Sequence, residues 1–172
     1  MKPLLLAVLI AAVTLPAAGQ EKQPSIKHLK KSDPDVLFMG TSIDNSCPGT
    51  ERSYERIVEG EMLRARIKRT SIWNWYEIAL NVNVSCHRDR SQRGTMEVLT
   101  YSIFVTFLVF YPVEDPAPDE LDFRQVVYLP SYVGSGLSVN HDNAEEERVI
   151  HANLRNAVTN ALTDYLKANF SE

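Results

Sequence analysis

Two long segments of alternating residues constrain the fold of this chain more than any other feature. In residues 72–87 the even positions are mainly apolar and the odd positions mostly polar. Residues 96–111 begin with the same alternation and become apolar at both parities near their end. Such a period of two is typical of a long antiparallel strand with one face in water, and the second strand is predicted to be covered on both faces near its end. The charged loop between them, residues 88–95, lets the second strand return beside the first.

The elements around this strand pair are shorter. From local patterns we predict a buried strand at residues 36–40, a helix capped by Thr50 at 50–59, a strand at 62–69, an acidic proline-rich loop at 112–122, a strand at 123–129, and a loop or weak edge strand at 130–141. Gly60 weakens the helical pattern, which predicts that the first helix ends there. Residues 62–69 also fit a longer helix, but their alternation favours a strand.

The last element is an amphipathic helix of about 25 residues that begins near Asn143. Asn143 and Glu146 have the spacing of a capping box at its start. The element order is therefore β-α-(β)-β-β-β-α, with few helices and long adjacent strands. This order predicts an α+β domain, in which helices pack on one face of an antiparallel or mixed sheet.

The N-terminal residues indicate the compartment. Residues 1–19 have a basic start, an apolar core and small residues before a cut, as in a secretory signal peptide. The apolar run is too short for a membrane-spanning helix. Residues 20–34 are polar and basic, which predicts a flexible leader, and residues 35–172 have the size of one domain. We therefore expect a periplasmic or secreted protein that is not transmembrane.

The chain has two cysteines, Cys47 and Cys86. In an oxidising compartment an isolated pair usually forms a disulfide, and closing the loop between them would stabilise the fold by roughly 4 kcal/mol in the chain-entropy model. The alternative is two free thiols, one of them reactive. The net charge of −4 and the lack of a basic stripe with interleaved aromatic residues exclude a typical nucleic-acid-binding protein.

Ser42 is the first candidate for catalysis. The stretch FMGTSI around it resembles the first motif of the GDS-type serine esterases, in which a strand ends in Gly-Asp-Ser. Thr41 replaces the aspartate of that motif, and the later motifs of the family are absent. A nucleophile needs a base and a group that orients the base. His141 would have to be that base, but Ser138 stands where the family has an aspartate, so we assign no catalytic residue.

The second candidate is a metal site near the start of the last helix. Glu147 and His151 are four residues apart and share a helix face, and His141, Asp142 and Glu145 precede or begin that helix. Zinc would need three or four converging ligands. Helix capping and surface chemistry explain the same residues more simply, so we predict neither a metal nor another cofactor.

Trp73 and Trp75 are the strongest candidates for binding. Both fall on the otherwise polar odd face of residues 72–87, and the basic residues Arg66 and Lys68 shortly precede them. An exposed aromatic pair beside basic side chains suits an anionic or acidic partner. The alternative is that the two indoles are buried under the leader or the first helix.

The element order is also similar to that of periplasmic assembly factors of the lipopolysaccharide-transport lipoprotein kind. The likeness is one of topology without a shared motif, and this chain lacks the lipoprotein cysteine. We expect a non-enzymatic binding, assembly or inhibitor-type protein that recognises another envelope or secreted protein. The alternatives are a carrier of lipid or another apolar ligand and, third, a small serine or metal hydrolase.

Overall fold

The computed structural model describes residues 29–72, 78–90, 97–111, 124–139 and 142–170. Its elements in chain order are β1 (Val36–Ile43), α1 (Glu51–Arg64), β2 (Lys68–Thr70), β3 (Ala79–Arg90), β4 (Glu97–Tyr111), β5 (Arg124–Val139) and α2 (Asn143–Phe170). The strands form one sheet in the order β2-β1-β3-β4-β5. β1 is parallel to both of its neighbours, whereas β3, β4 and β5 are antiparallel. The predicted α+β class with a mixed sheet is confirmed.

Both helices cover the same face of the sheet. Thr41 of β1 hydrogen-bonds to Glu55 of α1, and Phe107 of β4 stacks on Tyr165 of α2 with ring centroids 5.6 Å apart. The apolar stripe of α2 is buried as predicted, from Ile150 to Tyr165. One apolar layer between helices and sheet therefore forms the core.

The predicted alternation is confirmed where the structure describes it. Leu80, Val82 and Val84 of β3 are buried, whereas Asn81 and Asn83 between them are partly exposed. Residues 73–77, the first half of the predicted strand, lie outside the described residues.

The strand predicted at residues 62–69 is present only at its end, as β2, and its first residues belong to α1. α1 continues through Gly60 to Arg64, because Met62 and Glu61 of its last turns are buried against the rest of the helical layer. Glu61 accepts a hydrogen bond from Thr159 of α2 and forms an ion pair with Arg155 at 3.3 Å. The three residues of β2 follow this helix.

The segment predicted as a loop or weak edge strand is the second half of β5. Val105 is opposite Tyr132 and Phe107 is opposite Tyr128, so β5 carries extra residues around Pro130 that bulge from the ladder. Beyond the bulge, Gly136 lies opposite Tyr101, and a β-carbon on this glycine would overlap the phenol ring. The glycine therefore makes room for an aromatic side chain and does not mark a turn.

The start of α2 differs from its predicted cap. The Asp142 carboxylate accepts a hydrogen bond from the Glu145 amide at 2.8 Å, so Asp142 is the N-cap and not Asn143. Glu146 is 3% exposed and pairs with Arg88 of β3 at 2.6 Å, so it does not complete a capping box. At the start of α1 the predicted cap is confirmed, because Thr50 Oγ1 accepts from the Ser53 amide.

The end of the predicted leader packs against α2. Leu29 is fully buried, and the Asn169 side chain donates to its carbonyl at 2.9 Å. The same side chain accepts from the Lys31 amide at 2.8 Å. Leu29 and Lys31 of the predicted leader are therefore held against α2.

The predicted disulfide is present. Cys47, in the loop between β1 and α1, is bonded to Cys86 of β3, 39 residues away in sequence. Asp44 and Ser46 add hydrogen bonds from the same loop to β3. The bond therefore joins the parallel part of the sheet to the antiparallel part.

Replacing both cysteines by alanine tests this crosslink. We expect the free energy of unfolding to fall by about 4 kcal/mol, because the unfolded chain regains the freedom of a long loop. Urea denaturation followed by circular dichroism measures the change, and reduced wild-type protein should match the Cys47→Ala/Cys86→Ala variant. An unchanged unfolding midpoint would contradict the prediction.

Two glycine-to-alanine substitutions should act in opposite directions. Gly136→Ala forces the Tyr101 ring from its position and disturbs the hydrogen bond that Asn153 donates to Tyr101, so we expect a loss of about 1–3 kcal/mol. Gly60→Ala adds a methyl group with no atom within 4 Å, inside α1, and should stabilise by up to about 1 kcal/mol. Thermal unfolding of both variants tests the pair. Destabilisation by Gly60→Ala would contradict the prediction.

Candidate functional site

No helix in the described part of the chain covers the second face of the sheet, which we call the open face. By the strand registers, residues with described side chains on this face come from all five strands: Phe38, Ser42, Lys68, Thr70, Ala79, Asn81, Asn83, Ser85, His87, Asp89, Val98, Thr100, Ser102, Phe104, Thr106, Leu108, Val133, Ser135, Leu137 and Val139. Ala79 alone among them is buried. This face includes the odd positions of β3, as the alternation of residues 72–87 predicts.

The centre of the open face is apolar and uncharged. Asn83, Phe104 and Val133 lie opposite one another on three adjacent strands. Phe104 is 42% exposed, Val133 55% and Leu137 64%. The charged side chains described on this face, Lys68 and Asp89, lie at its periphery, although 23% of the chain is charged.

Neutral polar groups surround Phe104. Ser85 Oγ donates to Asn83 Oδ1 at 3.1 Å, which fixes both side chains along β3. Further along, a shallow depression of about 250 Å³ is lined by Ser85, Cys86, His87, Thr100, Tyr101 and Ser102. Hydroxyl and amide groups of this kind can both donate and accept hydrogen bonds, so the face can meet polar groups of a partner without burying a charge.

The two predicted basic binding residues lie on different surfaces. Lys68 is exposed at the edge of the open face. Arg66 is also exposed, but it forms the left-handed turn after α1, with φ of 59°, and lines a groove of about 580 Å³ together with Leu166 and Phe170 of α2. Within the described residues neither side chain has an ion-pair partner, whereas Arg69 pairs with Glu59. Trp73 and Trp75 lie outside the described residues, so their place on this face stays a prediction.

Ser42 and the described histidine of the predicted metal region lie on opposite sides of the sheet. Ser42 is exposed at the end of β1, on the open face and beside Asn83. His151 lies between α1 and α2. The described residues contain no group of three or more histidine, cysteine or acidic side chains that could hold a metal ion. His141 lies outside the described residues.

A serine–histidine–glutamate cluster that the sequence does not reveal lies between the helices. Ser53 Oγ is 3.4 Å and Glu147 Oε1 3.5 Å from the same nitrogen of His151, Nε2. A catalytic triad instead places its serine and its carboxylate at opposite nitrogens of the imidazole. Ser53 Oγ also donates to the Thr50 carbonyl at 2.7 Å. The cluster therefore caps α1 and packs the helices together, and Ser53 and His151 are too far apart in sequence for a local motif.

Burial controls the titration of this cluster. Burial lowers the pKa of His151 below its usual 6.5. The negative charge of Glu147 opposes this lowering, and the positive charge of Arg155 adds to it. The Tyr54 ring contacts the His151 ring edge-on, with centroids 4.7 Å apart. Burial, and then the charge of Glu147, raises the pKa of Tyr54 to about 12. At neutral pH both rings are therefore uncharged parts of the helix interface.

Comparisons with known proteins add little to this description. No protein-family model and no curated protein matches the chain. Among solved structures the chain is similar to a minor lipoprotein from Acinetobacter baumannii, with 8% identity, a TM-score of 0.42, and coverage of 76% of this chain and 90% of that chain. A likeness this weak carries no argument about function. In the described part of the chain, neither helix is long and apolar enough to cross a membrane.

The pKa of His151 predicts a pH dependence of stability. Because the folded state disfavours the imidazolium, the unfolded state takes up the proton first as the pH falls below about 6.5. The free energy of unfolding should therefore fall toward acidic pH, with a slope of at most about 1.4 kcal/mol per pH unit from this group. His151→Gln should remove this component of the pH dependence. To isolate it, the free energy of unfolding is measured for wild type and variant from pH 7 to pH 5, and the two profiles are subtracted.

The matched control is His87→Gln, which removes an exposed imidazole from the open face and leaves the helix interface intact. Its stability should follow the wild-type pH profile. Equal slopes for wild type and His151→Gln would contradict the role assigned to burial.

Proposed function

We propose that this protein is a non-enzymatic binding protein of the periplasm or the extracellular space, and that it recognises another protein through its open face. The observation that carries the proposal is the uncharged centre of that face, with Phe104 exposed among neutral polar side chains. The cores of protein–protein interfaces are depleted of charge and enriched in aromatic residues.

The construction of the face supports this role. Phe104 and Asn83 stand on long paired strands that the helical layer backs, so their positions are fixed before a partner arrives. Binding to a preorganised surface loses less conformational entropy than binding to a loop. A face used as an assembly surface or as an inhibitory plug would have the same properties.

Sequence features support the compartment and extend the surface. The predicted signal peptide and the Cys47–Cys86 disulfide fit a protein that folds under oxidising conditions. Trp73 and Trp75 continue the odd-numbered series of β3 in the sequence, and we include them as the outer part of the surface. Lys68, at the edge of the face, adds a positive charge to its rim.

A second candidate function, the transport of an apolar ligand, is favoured by the groove beside Arg66. Leu166 and Phe170 supply apolar walls, and Arg64 and Arg66 line the groove together with one acidic residue, Asp35. Arg64 pairs with Glu61, whereas Arg66 has no ion-pair partner among the described residues. A groove with these properties suits an amphiphile with an anionic head. The groove lies by the ends of the helices, so this candidate and the open face are tested separately.

Phe104→Lys tests the proposed function. The chain from residue 20 onward is immobilised and exposed to envelope extract of its source, and the dissociation constant of any saturable protein partner is then measured with purified components. We expect the substitution to weaken binding tenfold or more, as for a central interface residue, by roughly 1.4 kcal/mol or above. Trp73→Ala/Trp75→Ala tests the outer part of the surface in the same assay.

Leu63→Lys is the matched control, since Leu63 is 69% exposed on α1, away from the open face. It introduces the same charge at another exposed apolar residue and should leave the affinity unchanged. Equal affinities of wild type, Phe104→Lys and Leu63→Lys would rule out the open face as the recognition surface. Retention of anionic lipid, lost in Arg66→Ala, would favour the second candidate.

A further inference from the structure

The two edges of the sheet differ in how they are protected against pairing with another strand. β2 is three residues long and carries Lys68 and Arg69. Short, charged edge strands are a usual defence against sheet extension. β5, at the other edge of the described sheet, is 16 residues long and has no charged residue from Gln125 to Val139. In the described sheet, the β2 edge is therefore protected against pairing with another strand, whereas the β5 edge lacks this protection.

The second half of β5 is the part suited to regular pairing. Pro130 lacks an amide hydrogen and lies in the bulge, so the first half of the edge is interrupted. From Tyr132 to Val139 the ladder with β4 continues through Val98–Val105 without a further shift of register. The exposed apolar residues of this half, Val133 and Leu137, lie on the open face.

The sequence of this half is nearly palindromic. Residues 133–137 read VGSGL, which is apolar–Gly–Ser–Gly–apolar about Ser135. In an antiparallel pair of identical strands with its two-fold axis at Ser135, Val133 of each copy lies opposite Leu137 of the other. Each glycine then lies opposite the other glycine, on the face that the helices cover.

We propose that two copies of this chain associate through β5, in antiparallel register about Ser135, to form a continuous ten-stranded sheet. Two observations favour a second copy over a strand of another protein. About the two-fold axis, residues 133–137 place an apolar residue opposite an apolar residue and glycine opposite glycine, so the contact is self-complementary over these five positions. The edge is also uncharged, so the two-fold axis brings no like charges together.

The pairing is compatible with the residues on both faces of this half of β5. Val133 and Leu137 gain apolar cross-strand neighbours, which typically stabilise a sheet. Gly134 and Gly136 place no side chain between the helical layers of the two copies at the junction. The two open faces become one surface on the same side of the sheet. The proposal does not depend on what that surface binds.

Sedimentation equilibrium tests the dimer without any partner. The wild-type chain, lacking only its predicted signal segment, should have twice its monomer mass. Val133→Glu/Leu137→Glu and Val133→Lys/Leu137→Lys should each halve that mass, because the pairing brings like charges opposite each other. A mixture of the two variants should recover the doubled mass, since glutamate of one copy then meets lysine of the other.

The mixing step separates loss of association from misfolding, and circular dichroism should show wild-type helix content in both variants. Leu63→Lys, on α1, should stay dimeric. A wild-type chain that sediments as a monomer, or charged variants that remain dimers, would overturn the proposal. Recovery in the mixture would establish the register, whatever the outcome for the open face.

Discussion

The packing of α2 on β4 is the interaction on which the rest of the structure depends. The stripe from Ile150 to Tyr165 covers the inner side chains of the longest uninterrupted strand, and the Phe107–Tyr165 stack lies within this contact. With both helices on one side, β3 from Leu80 to His87 and β4 from Leu99 to Val109 bury every second side chain and leave the next one at least partly available to solvent. A single covered layer therefore defines both the core and the surface that remains for recognition.

The parts of the fold that follow local periodicity could be predicted from the sequence. Alternation along β3 and β4 and the stripe of α2 reflect burial by whole elements, which repeats along the chain. The failures come from contacts between distant residues. α1 runs past Gly60 because Glu61 has partners on α2. The position of Glu146 in the sequence indicates a capping residue, but in the fold it pairs with Arg88, which is 58 positions away.

The candidate site could be predicted in part for the same reason. The alternation of apolar and polar residues along β3 identifies its solvent-facing side. The exposure of Phe104, in contrast, depends on whether helices cover one face of the sheet or both. Residues 96–111 become apolar at both parities, and that pattern does not distinguish a buried aromatic residue from an exposed one. The glycines of β5 led to the prediction of a loop, because glycine is typical of turns. The sequence does not show that Gly136 makes room for the ring of Tyr101.

Asn169 holds both Leu29 and Lys31, so the first and last residues that the structure describes lie at the same corner of the molecule. The path of the described chain is therefore almost a closed ring, and joining its ends by a short linker would alter the backbone little. That corner belongs to the helical layer, with Leu29 in the core beneath it. A tether attached beside Leu29 or Asn169 would thus hold the molecule by its helices and leave the open face of the sheet pointing away from the point of attachment.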